Sequence, residues 1–285
     1  MKLVLRLLQL IVPLVFFSSC AFRLINRDKN IIYNADNKLY VKSEESLNVF
    51  YPQRKKELKP VLVYIHGGNW NAGKKSLYNY FGSRLARKNI VAVTIDYPLS
   101  PSANYKEMAL ASAQSIKWMK ENIQKYGGDS SRIFISGHSA GGHLATLISL
   151  DNTYFNLLKI KNPVKGIVMI DAAGLDMFGY LKDEKPGVGH TYLKTFSADT
   201  SRWKDATPLY HLSNSMPPML IFRGGKTYPS ISKSNEKFVN ALMERGANYT
   251  YKIQKGKHHI PMITQFFNPY NRRYRDIKNF MNPVK

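Results

Sequence analysis

A serine flanked by glycines is the first group in this sequence that could carry chemistry. Residues 137–141 read Gly-His-Ser-Ala-Gly, with Ser139 at the centre. The β-branched and aromatic residues 133–135 predict a buried strand before them, and the small apolar residues from 140 to 147 predict a helix after them. A tight turn between a strand and a helix presents the serine hydroxyl, and it needs glycines because larger residues would collide with neighbouring backbone. The pattern therefore predicts a nucleophilic serine.

A second glycine segment, His66-Gly67-Gly68, follows the apolar run of residues 60–65. Such a run is typical of a central strand buried on both faces, and ligands bind at the carboxyl ends of strands in open α/β sheets. Two consecutive glycines allow backbone N–H groups to turn toward an oxyanion. A plain tight turn is the alternative, and the position upstream of Ser139 favours the oxyanion interpretation.

Further apolar runs supply the elements that must hold these groups. Residues 91–95, 164–170, 217–222 and 248–254 predict strands, and residues 47–52 predict an edge strand that Pro52 closes. Residues 108–126 carry apolar side chains at helical spacing and end at two glycines. This alternation predicts an α/β fold with a mostly parallel sheet.

Length and charge limit the function classes. The chain has 285 residues, enough for one large domain, and contains 42 Lys and Arg against 19 Asp and Glu, a net charge of +23. The basic residues are scattered and form no stripe or arm, which argues against nucleic-acid binding and favours a solvated surface suited to anionic lipid headgroups. Cys20 is the only cysteine, so neither an intrachain disulfide nor a site of several thiolates can form. We find no metal or nucleotide motif and expect no cofactor.

The first twenty residues predict export. Lys2 and Arg6 precede a short apolar segment, residues 7–17, which is typical of a secretory signal. The segment ends at Cys20 and resembles a bacterial lipoprotein signal, although Phe17 departs from the usual pattern; a chance cysteine in an ordinary signal is the alternative. We expect residues 1–19 to be removed, Cys20 to carry lipid, and residues 20–37 to tether a domain spanning 38–285. The protein would then be anchored in the bacterial cell envelope, on the periplasmic or the outer side.

Four stretches together resemble the H-G-G-x-W carboxylesterases, an α/β-hydrolase group with hormone-sensitive-lipase-like and bacterial feruloyl-esterase-like members. The matching stretches are residues 66–70, 96–101, 126–133 and 137–145, and the similarity extends over about 38–275. The resemblance implies an α/β-hydrolase fold with helices on both faces of the sheet. It also implies that Ser139 is the nucleophile and that the N–H groups of Gly67, Gly68 and Ala140 form the oxyanion hole. Asn69 departs from the glycine that the family often has.

The same resemblance raises a question about the acid of the triad. Family members place a histidine before a bulky apolar residue, which favours His259 over His258, and an aspartate where this chain has Thr227. No acidic residue stands between Asp205 and Glu236. Asp171 and Asp176 follow the strand after the elbow strand, a position that some α/β-hydrolases use for the acid. Asp176 also resembles a structural aspartate of the feruloyl-esterase-like branch.

Residues 177–203 show no clear period, and we expect them to form a small cap. Their aromatic residues could line a pocket or pack the cap onto the core. The candidate residues leave two hypotheses open. One is a lipid-anchored serine esterase acting on a small ester; the other is a weak or inactive relative that binds a ligand or partner at the envelope. The sequence does not define the oligomeric state.

Overall fold

A computed structural model describes residues 24–34, 45–53, 57–187 and 190–282. The predicted signal peptide and Cys20 lie outside the described residues. Within them, eight strands form one sheet in the order β1-β2-β4-β3-β5-β6-β7-β8. The strands are β1 (Ile25–Ile32), β2 (Ser46–Pro52), β3 (Lys59–Ile65), β4 (Val91–Ile95), β5 (Gly128–His138), β6 (Val164–Ile170), β7 (Met219–Gly224) and β8 (Tyr249–Gln254).

The sheet is parallel from β4 through β8, while β2 runs antiparallel to β4 and β1 antiparallel to β2. The helices of the described residues are α1 (Asn79–Ala86), α2 (Tyr105–Asn122), α3 (Ala140–Leu150), α4 (Thr153–Leu157), α5 (Met177–Glu184), α6 (Thr191–Phe196), α7 (Pro229–Glu244), α8 (His259–Thr264) and α9 (Arg272–Met281).

Helices cover both faces of the sheet. Along β3, Val63 and Ile65 join the core cluster that contains residues of α2, α3 and α7, whereas Leu62 and Tyr64 join the cluster that contains residues of α1 and α9. The alternation follows from the two-residue period of a strand. The predicted α/β fold with helices on both faces is therefore confirmed.

The predicted tether and edge strand need correction. Residues 25–32, which we assigned to the tether, form the outer strand β1, and β2 lies inside it, between β1 and β4. The side chains of β1 are largely exposed, so the polar sequence resembles a linker, but its backbone hydrogen-bonds to β2. Covered by β1, the residues of β2 from Leu47 to Tyr51 are buried.

Helix α2 begins earlier than its apolar period indicates. The Asn104 side chain accepts hydrogen bonds from the N–H groups of Lys106 and Glu107, and the Glu107 carboxylate accepts one from the Asn104 N–H. This capping box satisfies donors that the first turn leaves free. The helix ends in a 3₁₀ turn, Ile123–Tyr126, and Gly127 follows with φ of 76°.

The predicted cap segment contains α5, α6 and a 3₁₀ turn, Thr200–Trp203. Its aromatic residues divide between the two expected roles. Phe196 and Trp203 are buried in the core cluster, while Tyr180 and Tyr192 line a cavity above the carboxyl ends of the strands. Among the helices that the structure describes, none combines the length and the apolar character that crossing a bilayer requires.

The α1 face of the core gives a stability prediction. Phe81 is fully buried, and its ring centroid lies 5.1 Å from that of Tyr64 and 4.8 Å from that of Phe266. We expect Phe81→Ala to lower the free energy of unfolding by about 3–5 kcal/mol, because it removes apolar contacts and leaves a cavity. Urea denaturation measures the loss. Phe267→Ala, at a side chain that is 57% exposed, is the control and should cost less than about 1.5 kcal/mol. Equal losses would contradict this description of the core.

Candidate active site

Ser139 lies on the predicted turn between β5 and α3. Its backbone has φ of 55° and ψ of −125°, a conformation that residues other than glycine rarely adopt. A Cβ on Gly137 would lie 2.2 Å from the Gly141 carbonyl carbon, and one on Gly141 would lie 2.1 Å from the Ile65 oxygen. Both glycines are therefore sterically required, and the predicted order of strand, tight turn and helix around Ser139 is confirmed.

Gly67 and Gly68 lie beside this turn, at the end of β3. A Cβ on Gly67 would lie 3.1 Å from the Ser139 Cβ, so the Gly67 backbone approaches the serine directly. Gly68 has φ of 128°, which favours glycine, and its carbonyl accepts hydrogen bonds from the next turn of the loop. Ala140 is the first residue of α3, where a backbone N–H has no partner within the helix. Of the three residues predicted to form the oxyanion hole, Gly67 and Ala140 thus lie next to Ser139, and Gly68 lines the same cavity.

The histidine and one aspartate meet in a buried pair. His259 begins α8, and its Nδ1 lies 2.7 Å from Oδ2 of Asp171, the residue that follows β6. Because a carboxylate only accepts hydrogen bonds, Nδ1 carries the proton and donates it to Asp171. The adjacent His258 is the residue that precedes α8. The ring of His138 stacks on the ring of His259, with centroids 4.4 Å apart.

Asp171 has further donors. Its side chain is fully buried; Oδ1 accepts from the Gly224 N–H at 2.7 Å, and Oδ2 accepts from the Thr227 hydroxyl at 2.5 Å. Burial raises the pKa of this carboxyl, but the hydrogen bonds from His259, Gly224 and Thr227 outweigh burial and hold the pKa below its ordinary value. The carboxylate is therefore ionised at neutral pH. In the sequence Thr227 marks only a missing acid, and no sequence signal indicates its contact with Asp171.

Asp176 occupies a different environment. It is the N-cap of α5, where its side chain accepts from the Gly179 N–H at 3.0 Å, and it pairs with the Lys237 ammonium. Asp176 lines the same cavity as Ser139 and His259. The structure thus brings Asp171, rather than Asp176, into contact with the histidine.

The loop that carries Gly67 and Gly68 is fixed by polar contacts. Asp96 accepts from the Lys75 backbone N–H at 2.6 Å and from its ammonium at 2.7 Å. Further along the loop, the Trp70 Nε1–H donates to His143 Nδ1 at 3.2 Å. Asn69, the departure from the family glycine, has φ of 52°, and its side chain accepts a hydrogen bond of 2.8 Å from the Tyr192 hydroxyl of α6. This link between the loop and the cap segment was not predicted.

These residues enclose one cavity of about 750 Å³, lined by Gly67, Gly68, Ser139 and His259 and by residues of α5, α6 and α8. It opens at the carboxyl ends of the strands, where the sequence placed the site. Among the described residues, no group of three or more His, Cys, Asp or Glu side chains is placed to hold a metal ion.

Comparison with known proteins identifies the family. The model of the BD-FAE family matches residues 47–242, which is more than half of the chain. The chain belongs to the BD-FAE family. The family match covers Ser139 and the loop that carries Gly67 and Gly68 but ends before His259.

Curated relatives that are 27–28% identical to this chain are named as esterases. The chain is 27% identical over 237 residues to the isoprenylcysteine α-carbonyl methylesterase ICME of Arabidopsis thaliana, covering 77% of this chain and 54% of that protein. It is 28% identical over 198 residues to esterase LipC of Mycobacterium tuberculosis, covering 64% and 48%. The chain spans about half the length of the curated relatives it matches.

Solved structures share the fold. Esterase B of Lactobacillus rhamnosis, inhibited by a tributyrin phosphonate, has a TM-score of 0.74 at 15% identity and covers 90% of this chain and 85% of its own. A truncated carbohydrate esterase from gut microbiota has a TM-score of 0.74 at 19% identity, covering 90% and 95%. The resemblance to α/β-hydrolase carboxylesterases that the motifs predicted is confirmed at the level of family and fold.

The buried His143 gives a prediction on pH. Its Nε2 lies 2.7 Å from the Ala206 oxygen, and burial lowers its pKa from 6.5 to about 4. The unfolded chain therefore binds a proton more readily than the folded protein, so the stability contributed by the neutral ring is complete above pH 6.5 and is lost as the pH falls toward 4. We expect His143→Gln, which keeps a donor and an acceptor but does not titrate, to flatten the decline of stability in this range by up to about 1.4 kcal/mol per pH unit.

Urea denaturation at several pH values measures the slope. His190→Gln changes an exposed histidine and serves as the control. An unchanged slope in His143→Gln would contradict the assignment of a neutral, buried ring.

Proposed function

We propose that this protein is a serine carboxylic-ester hydrolase whose triad is Ser139, His259 and Asp171. The observation that carries the proposal is the 2.7 Å contact between His259 Nδ1 and the buried Asp171 carboxylate. That contact fixes the tautomer in which Nε2 is free to accept a proton. The esterase relatives and the phosphonate-inhibited structural neighbour support the same reaction class.

In this proposal Ser139 Oγ attacks the ester carbonyl carbon while its proton passes to His259 Nε2. The carbonyl oxygen becomes an oxyanion, which the N–H groups of Gly67, Gly68 and Ala140 stabilise. The alkoxide then leaves and takes the proton from Nε2, which leaves an acyl group on Ser139. Water gives a proton to Nε2 as its oxygen attacks the acyl carbon. The bond between that carbon and Ser139 Oγ then breaks, Oγ takes the proton back from Nε2, and the carboxylic acid leaves.

Asp171 supports each step through charge. When His259 is an imidazolium, the ionised carboxylate at Nδ1 stabilises it, and both side chains are buried. The Gly224 N–H and the Thr227 hydroxyl both donate to the Asp171 carboxylate and hold it in place. Thr227 stands at the position where the family usually has its acid. Asp176 caps α5 and pairs with Lys237, contacts that favour a structural role.

The second hypothesis, an inactive relative that binds a ligand or partner at the envelope, is favoured by Thr227 alone. Its premise is that the histidine lacks a carboxylate. The pair between Asp171 and His259 supports the enzyme instead.

Hydrolysis of p-nitrophenyl acetate tests the triad. We expect Ser139→Ala to abolish turnover and Asp171→Asn to lower kcat by about 10⁴-fold, because an amide neither stabilises the imidazolium nor fixes its tautomer. Asp176→Asn is the matched control: asparagine is also a good N-cap, so we expect kcat within about tenfold of the original protein.

Collapse of activity in Asp176→Asn with retention in Asp171→Asn would assign the acid to Asp176. Turnover in the unaltered protein no greater than in Ser139→Ala, with several esters, would favour the inactive relative.

We also propose that Cys20 is lipidated and holds the protein at the bacterial envelope. The signal-like residues 1–20 and the net charge of +23 support this location. We expect Cys20→Ser to move the protein from the membrane fraction to the soluble fraction and to abolish incorporation of labelled palmitate. Incorporation that persists in Cys20→Ser would contradict lipidation at this residue.

A further inference from the structure

The cavity has one wall of unusual composition. Five side chains form it, and we call them the apolar wall: Leu77, Tyr80, Ile260, Ile263 and Phe267. They come from two regions far apart in the sequence. One is the 3₁₀ turn Lys75–Tyr78 with helix α1, and the other is helix α8 with the 3₁₀ turn Gln265–Phe267. All of them line the cavity that Ser139 and His259 also line.

Large apolar side chains are left open to solvent on this wall. Leu77 is 56% exposed, and Ile260 and Phe267 are each 57% exposed. Single exposed apolar residues are common on protein surfaces, but apolar residues grouped at a cavity mark a binding surface. Here the grouping lies at the opening of the proposed active site.

The wall is held in place before any ligand binds. The ring of Tyr80 stacks on the ring of Phe267 with centroids 4.0 Å apart, and the Tyr80 hydroxyl donates to the Ile263 carbonyl at 3.2 Å. Tyr80 thereby joins α1 to α8 and to the turn that follows it. A surface formed in advance spares a ligand the entropy of ordering it.

The described cavity lining also contains no lysine or arginine side chain, although the protein is rich in both. The chain contains 42 Lys and Arg residues, yet none is among the described residues that line the cavity. The carboxylate of Asp176 is paired with Lys237. A substrate with an anionic group next to the ester would find no cation in this lining, whereas a neutral apolar chain would lose little solvation there.

We propose that the apolar wall binds the hydrocarbon chain of a neutral ester substrate. The inference rests on the proposed hydrolase function and names its substrate class. The cavity lining also contains the hydroxyl side chains of Tyr180, Tyr192, Ser230 and Ser234, which do not belong to the apolar wall. In this proposal the chain of the ester lies along the apolar wall, and its carbonyl lies at Ser139.

Two series of esters test the proposal: p-nitrophenyl esters with acyl chains from acetate to octanoate, and acetate esters of alcohols from ethanol to octanol. A buried methylene raises kcat/KM by up to about fourfold. We therefore expect kcat/KM of the eight-carbon ester in one series to exceed kcat/KM of the shortest ester by a ratio of at least about ten. The double variant Leu77→Ser and Phe267→Ser should reduce that ratio by about tenfold. Circular dichroism confirms that the variant is folded.

Met243→Ser is the matched control. Met243 is 62% exposed on α7 and lies outside the cavity lining, so removing it lowers surface hydrophobicity without touching the wall. We expect its ratio of long-chain to short-chain kcat/KM to equal that of the original protein. A ratio that does not increase with chain length in either series, or one that the double variant leaves unchanged, would overturn the proposal.

Binding separates this inference from the hydrolase proposal. Equilibrium dialysis of ethyl octanoate against Ser139→Ala reports chain binding even if no ester is hydrolysed. We expect the Leu77→Ser and Phe267→Ser substitutions to weaken that binding. Sedimentation with phosphatidylglycerol vesicles tests whether the apolar wall contacts a membrane instead. Loss of vesicle binding in the double variant with unchanged binding of ethyl octanoate would make the wall a membrane contact and would overturn the substrate proposal.

Discussion

A buried carboxylate must be surrounded by hydrogen-bond donors, and the functional end of this protein is built around one. Asp171 is inaccessible to solvent, and an unpaired charge there would cost far more than a single mutation usually does. Its donors come from separate segments: Gly224 ends β7, Thr227 lies in the following turn, and His259 begins α8. Satisfying the one charge therefore fixes three chain segments relative to β6, and it places the histidine in the cavity that contains Ser139.

The same constraint explains why threonine suits position 227. A carboxylate at that position would lie against Asp171, and two like charges so close would raise the pKa of one of them and weaken its hold on the histidine. A hydroxyl instead donates a hydrogen bond to the carboxylate that is present. The residue types at 171 and 227 are thus coupled: one supplies the charge and the other supplies a donor. Threonine at position 227 resembles the loss of an acid in the sequence, yet in the structure the histidine still pairs with a carboxylate, that of Asp171.

Local rules predicted the elements that depend on local sequence. The elbow at Ser139 and the glycines at 67 and 68 could be recognised because steric demands restrict those positions to particular residues. The choice between Asp171 and Asp176 could not be made, since it depends on how β6, β7 and α8 meet in the folded sheet. Strand β1 was mistaken for a tether for a related reason. Its polar side chains face solvent, and only its backbone pairing with β2 makes it a strand.

The protein as a whole is strongly basic, but its described cavity lining has no lysine or arginine side chain. A net charge of +23 gives the exterior a field that favours anionic surfaces, while the described cavity lining contains no lysine or arginine. The exterior field attracts anionic surfaces, and it is screened by salt over about 10 Å. Contacts with the apolar wall are insensitive to that screening, because burial of apolar surface does not depend on charge. The proposed envelope location and the proposed substrate class therefore rest on separate physical interactions, so changes to surface lysines can alter one while the contacts around Ser139 stay the same.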